Sequence, residues 1–185
     1  DEGVPSRKIR LCFNGVDLTS FHAGPRLRPA GLEEASLVIG VVSVLRPEKG
    51  LHLLLEAFAR LAAAEKGARL LVVGGGSEEA RLRARAAQLG ILEFTRFEPA
   101  ASDVVAWLRA IDVFVLPSLS EALSNSIIEA MACGCAVIAS RVGGNPELVR
   151  HGETGLLFEK GDSADLAARM LSLMNEPGRR QRLAE

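Results

Sequence analysis

No run of apolar residues in this sequence of 185 approaches the roughly 20 that a helix needs to span a bilayer, and no signal-peptide pattern opens it. A membrane span is therefore not expected, and the chain reads as a soluble domain. Charge of one sign is not in excess either. Lys and Arg number 22 against 23 Asp and Glu, which gives no positive field to hold nucleic acid or an anionic lipid surface. Cysteine is scarce. Cys12, Cys133 and Cys135 make an odd count in mostly apolar contexts, which argues against a disulfide framework and for a reducing, cytoplasmic location. None of the three histidines lies near Cys133 and Cys135 in sequence, so that pair reads as buried thiols rather than metal ligands. His22, His52 and His151 are scattered and read as ordinary surface or core residues. No Ser-His-Asp arrangement, P-loop or metal-ligand cluster emerges, and no metal site is expected. The first residue is Asp1 rather than methionine, so the chain reads as an excised domain.

What is present is apolar material, 48% of the residues, enough for the core of one domain. Six β-branched-rich runs stand out, over 37–45, 69–73, 92–97, 112–116, 135–139 and 155–158. Between them lie helical patterns. Leu51, Leu54, Leu55, Phe58 and Leu61 fall at i, i+3, i+4, i+7 and i+10, one face of a helix that should cover a sheet. A second helix is expected from about Glu78 to Leu89, ended by Gly90, and a shorter one over 104–110 around Trp107, which reads as core. Leu166, Met170, Leu173 and Met174 stripe the last.

Fully apolar strands alternating with helices of this length indicate an α/β domain, doubly wound and Rossmann-like, with a six-stranded parallel sheet and helices on both faces. Ligands of such sheets bind beyond the carboxyl ends of the strands, near the switch in strand order. Five loops should therefore carry function: 46–50, 74–77, 98–102, 117–125 and 140–146. Residues 1–36 show no clear period and read as a linker and entry segment, leaving 37–185 as the domain proper.

The most informative stretch is Ser118-Leu-Ser-Glu-Ala-Leu-Ser-Asn-Ser-Ile-Ile-Glu-Ala-Met-Ala-Cys-Gly134. It sets two carboxylates, Glu121 and Glu129, with seven residues between them, around a helix start near Asn125. Open amides at such a start can hold a phosphate, and a carboxylate one turn further suits paired ribose hydroxyls. The alternative is local: Ser126 and Glu129 stand three apart and could form a capping box. Residue types alone leave both readings open.

The stretch 118–137 resembles the signature of family-four retaining glycosyltransferases of the GT-B fold, which are built from two Rossmann-like domains. Asn14-Gly-Val-Asp17 resembles that family's interdomain segment, Pro47-Glu-Lys-Gly50 its phosphate loop, Gly143-Gly-Asn-Pro-Glu147 the turn after its fifth strand, and Gly152-Glu-Thr-Gly-Leu156 follows in the expected order. The resemblance implies the C-terminal, donor-binding half of an enzyme that transfers sugar from a nucleoside diphosphate, UDP foremost, with an N-terminal acceptor-binding domain as partner and no required cofactor. It implies Glu121 at the donor sugar, Glu129 at the ribose, Lys49 on the diphosphate with Arg46 as a second cation, and a phosphate cradle from the amides of Leu123, Ser124 and Asn125. Glu121 and Lys49 would carry the catalytic burden. The isolated half should be inactive.

Three positions depart from the family pattern: Val44 where a second cation is usual, Ala122 where glycine is usual, and Glu98 in place of a glycine near the expected base pocket. They motivate a rival in which the clamp has decayed into a non-catalytic binding or interaction module. A nucleotide-sugar epimerase half is a second rival. Gly74-Gly-Gly76 suggests a dinucleotide fingerprint, but Glu79 stands where its third glycine should be.

Overall fold

In the computed structural model the described residues are 3, 5–10, 12 and 14–185; residues 1, 2, 4, 11 and 13 of the expected linker, and the side chain of Ser6, lie outside them. Six strands form one parallel sheet: β1 (Leu37–Val42), β2 (Ala68–Val73), β3 (Thr95–Glu98), β4 (Val113–Leu116), β5 (Ala136–Ser140) and β6 (Leu156–Phe158), in the order β3-β2-β1-β4-β5-β6. The order runs backward to β1 and then jumps to β4, so the switch point lies between β1 and β4.

The strands are apolar on both faces because both faces are covered. Leu37, Ile39 and Val41 of β1, with Val113 and Val115 of β4, point into a core closed by α1 (Leu51–Ala64), α2 (Glu79–Gln88), α6 (Ser163–Asn175) and α7 (Pro177–Ala184). Val38, Phe114 and Leu116 point into the opposite core, closed by α3 (Val104–Ala110), α4 (Asn125–Ala132) and the short α5 (Asn145–Leu148). This is the doubly wound α/β architecture that the apolar runs imply.

Local details differ from the sequence reading where packing overrides pattern. The first strand stops at Val42, since the chain turns out at Ser43 and the Leu45 amide donates to the carbonyl of Gly75 in the β2–α2 loop, at 3.0 Å. Leu92–Phe94 is a single 3-10 turn, and β3 starts only at Thr95. Helix α7 has one buried residue, Leu183, in an otherwise polar sequence and so gives no periodic signal. Trp107 is half-buried, with the Arg96 guanidinium stacked 5.6 Å from its ring centre. Cys133 and Cys135 are buried, and burial pushes the Cys135 thiol up to about 12.

Ahead of β1 no described residue joins the sheet, but the segment is fastened to it. Asp112, buried at the start of β4, accepts from Arg26 and Arg28 at 2.7 Å each and from the Val38 amide at 2.8 Å. Leu32 and Ala35 fill the second core. Asp112→Asn keeps the shape but removes the charge that both guanidiniums use, and is expected to cost about 2 kcal/mol. Denaturant unfolding measures it; an unchanged midpoint would mean that the fastening contributes nothing to stability.

Candidate functional site

Two loops meet at the switch point. After β1 the chain makes a 3-10 turn, Pro47–Lys49, ended by Gly50 at φ +61, from which α1 starts. A side chain at Gly50 would be strained there and would also collide with the Pro117 carbonyl, 2.3 Å from the position of its Cβ, so the β1 loop can lie directly on the β4 loop only with glycine. The Leu119 amide locks the two together by donating to the Glu48 carbonyl at 2.8 Å. The result is a contact across 72 positions of sequence: Lys49 Nζ lies 2.5 Å from Glu121 Oε1. Glu121 is only 10% exposed, and its Oε1 also accepts from Ser118 Oγ at 2.7 Å.

The chain then runs from Glu121 into the N-terminus of α4. Two other helices are capped by aspartates: Asp103 accepts from the Ala106 amide, and Asp162 accepts from those of Ala164 and Asp165. In α4 the N-cap is Ser124, whose side chain caps nothing and instead shares a 2.9 Å hydrogen bond with the Ser126 hydroxyl. Among the described residues, the amides of Leu123, Ser124 and Asn125 have no acceptor. Open N–H groups at the positive end of a helix are suited to an anion.

Glu129 sits one turn further on. The capping-box alternative does not form, because Ser126 is the second residue of the helix rather than its cap, and Glu129 is the fifth rather than the third. Its carboxylate is half-buried and meets no hydrogen-bond or ion-pair partner among the described residues. Desolvation raises its pKa above the ordinary glutamate value near 4.5. An unpartnered, partly desolvated carboxylate beside open amides is arranged for a ligand that brings its own donors.

The remaining positions are more peripheral. Arg46 is 63% exposed and points to Glu48, 3.9 Å away, not to Glu121. Val44 is exposed, and its neighbours Val42 and Ser43 join Val73, Gly74 and Ala100 around an apolar slot of about 170 Å³. Glu98 does not line this slot; its carboxylate pairs with Arg96, although its carbonyl accepts from the Gly74 amide at 2.9 Å. The Gly74–Gly76 segment packs on the β1 loop, with the Glu78 amide donating to the Leu45 carbonyl at 3.0 Å. Sequence reasoning quoted Gly143 and Asn145 in the turn after the fifth strand and Ser118 at the head of the signature stretch, but gave no role of their own to Gly143, whose backbone supports the Glu121 loop, or to the buried Ser118, Ser140 and Asn145 beneath it. Their signal was a small polar residue closing an apolar strand, as Ser140 closes Ala136–Ala139.

Larger concavities lie elsewhere. One of about 460 Å³ beside Arg26, Asp112 and Arg180 sits at the N-terminal edge of the sheet, and one of about 400 Å³ lies between α1 and α2. The carboxylates Asp112 and Glu56 in them are already paired, Asp112 with two arginines and Glu56 with Arg85. The switch-point face instead gathers the open amides of Leu123, Ser124 and Asn125 and the unpartnered carboxylate of Glu129.

The family model of glycosyl transferases group 1 matches residues 26–185. The chain belongs to that family. It is 35% identical to the D-inositol 3-phosphate glycosyltransferase of Thermomonospora curvata, over 98% of this chain and 47% of that protein. The corresponding protein of Rhodococcus jostii is 40% identical, over 98% and 43%. This group 1 chain thus spans about half the length of the curated relatives it matches. Among solved structures, Anabaena Alr3699/HepE in complex with UDP superposes with a TM-score of 0.85 at 25% identity, over 98% of this chain and 52% of that one. The C-terminal domain of the glycosyl transferase group 1 family protein LpcC from Francisella tularensis superposes at 0.83 and 26% identity, and there the coverage is 92% of this chain and 93% of the other. The group 1 fold is therefore that of a GT-B half. Among its described residues no helix is long and apolar enough to cross a membrane.

Proposed function

We propose that this chain is the donor-binding domain of a glycosyltransferase that moves a sugar from a UDP-sugar to an acceptor with retention of configuration, the acceptor being held by an N-terminal domain of a longer, cytoplasmic protein. The observation that carries this reading is the Lys49–Glu121 pair at the switch point, on the loop that leads into the uncapped start of α4. In this reading the amides of Leu123, Ser124 and Asn125 cradle a phosphate, and Lys49 faces the diphosphate. Glu129 takes the ribose hydroxyls, and the apolar slot beside Val42 and Val73 takes the base. Glu121 orients the sugar. When the bond from the anomeric carbon to the diphosphate breaks, charge grows on the leaving phosphate, where a cation and fixed amides stabilise it without having to reorganise. Arg46 swings from the weak, exposed contact with Glu48 to supply the second cation that Val44 does not. UDP is favoured because HepE, the structural relative, has been crystallised with UDP and with UDP-glucose.

Calorimetry of the chain with UDP, GDP and ADP tests the reading. UDP is expected to bind at least tenfold more tightly than the other two. Binding of none of the three would favour the decayed module and overturn the donor role. Because half of the reaction cleft belongs to the partner domain, the chain alone is expected to show no transfer from UDP-glucose to any acceptor. Sustained turnover by the isolated chain would refute the division of labour.

A further inference from the structure

Beneath the Lys49–Glu121 pair runs a hydrogen-bonded column that the proposed roles do not use. Asn145 Nδ2, on α5, donates to the Ser140 carbonyl at 3.0 Å. Ser140 Oγ, at the end of β5, donates to the Ser118 carbonyl at 2.6 Å. Ser118 Oγ donates to Glu121 Oε1 at 2.7 Å, the same oxygen that Lys49 holds. All three column residues have 0% exposure, and Ser140 directly follows the buried apolar residues Ala136–Ala139 of β5.

Placing three polar side chains there is costly, the more so because Asn145 Oδ1 has no partner among the described residues, and aliphatic residues of similar size would serve packing alone. The column has a mechanical origin. Pairing of β4 with β5 reaches Leu116 and Ala139 and then meets Pro117, which has no N–H to continue a ladder. The Ser140 hydroxyl takes over from the backbone and fixes the first residue beyond it, Ser118. Both donors converge on one carboxylate oxygen of Glu121, and among the described residues its Oε2 has no partner.

We infer that Ser118, Ser140 and Asn145 are positioning residues that pin Oε1 of Glu121 so that Oε2 is presented, in a single orientation, to a hydroxyl of the donor sugar. This rests on the reading of Glu121 as the sugar ligand. Ser118 acts through Glu121, and Ser140 and Asn145 act through Ser118. None of them touches the nucleotide.

The test is the ratio of UDP-glucose affinity to UDP affinity, measured by calorimetry on the chain with melting temperatures alongside. Ser118→Ala is expected to weaken UDP-glucose about tenfold while leaving UDP unchanged, and that selective effect should vanish in a Glu121→Ala background. Ser118→Cys, nearly the same size but with a weak donor, should show a smaller selective loss and serves if the alanine variant does not fold. Equal weakening of both ligands, no weakening of either, or a loss that persists without Glu121 would overturn the positioning role. Glu121→Ala distinguishes the two levels. If it lowers the ratio and the Ser118 variants do not, only the column proposal fails; if it leaves the ratio unchanged, the sugar-ligand reading falls and the column proposal with it.

Discussion

Glu129→Gln is expected to bind UDP about 10- to 150-fold more weakly than the wild-type chain while melting no lower. The binding loss follows from the ligand it would hold. A ribose presents two hydroxyl donors, a carboxylate offers an acceptor to each, and an amide replaces one acceptor with a donor. Losing one hydrogen bond to a charged group costs roughly 1.5 to 3 kcal/mol. The stability half of the expectation follows from the pKa. Burial raises the Glu129 carboxyl above its ordinary value near 4.5, so the folded state holds this proton more tightly than the unfolded state does. Whatever stability this provides is complete below the unfolded value and is lost as pH rises through the raised folded value. Above the raised folded value the wild-type chain carries a desolvated charge that glutamine lacks, and the variant should there melt at the same temperature or slightly higher. Below pH 4 the two should converge. Inorganic pyrophosphate, which has no ribose, is the control and should bind both proteins alike. Equal weakening of UDP and pyrophosphate, or unchanged UDP binding, would remove Glu129 from the ribose.

The architecture was legible because the strands are parallel and buried on both faces. Val38 to Val42 must be apolar whichever way they point, and α1 must show Leu51, Leu54, Leu55 and Phe58 on one side to cover them. Elements that bury little leave little trace. α7 contributes one buried leucine and α5 one buried asparagine, and neither forms a period. The fastening of the entry segment was invisible for another reason: Arg26 and Arg28 meet Asp112 across 86 and 84 positions, and charge partners at that separation follow from topology, not from local sequence.

The candidate site divides along the same line. Resemblance named Lys49 and Glu121, and strand order makes them neighbours. The choice between a capping box and an open helix start depended on which serine was the cap. Residue types allow either serine, whereas backbone conformation makes it Ser124 and leaves Glu129 unpartnered. Ser118, Ser140 and Asn145 were given no role of their own because small polar residues at a strand end or in a turn are ordinary, and only their alignment into one column gives them meaning.

Gly143→Ala is expected to lower UDP-glucose binding about 100-fold or more, a larger effect than its exposed position would suggest. Gly143 turns the chain after β5 at φ +50, a conformation that costs an L-residue roughly 1 to 2 kcal/mol. That cost alone would affect stability and not binding. The collision is what reaches the site, because a Cβ at Gly143 would lie 1.7 Å from the Glu121 carbonyl oxygen, and that oxygen is backbone and cannot rotate away. A normal carbon–oxygen contact is roughly 3.3 Å, so the two loops must part by about 1.6 Å. The Gly144 amide, now 2.7 Å from the Ala122 carbonyl, would lose its acceptor in the process. Glu121 and the open amides after it would be carried out of register with Lys49, and displacements of about 1 Å in a positioned site can cost 100-fold. Gly152→Ala separates strain from collision. Gly152 also has a positive φ, +84, but an added Cβ there would meet nothing within 4 Å. It should lower the melting temperature and leave UDP-glucose binding intact. If Gly143→Ala behaves like Gly152→Ala, losing stability but binding normally, the β5 loop does not hold Glu121 in place.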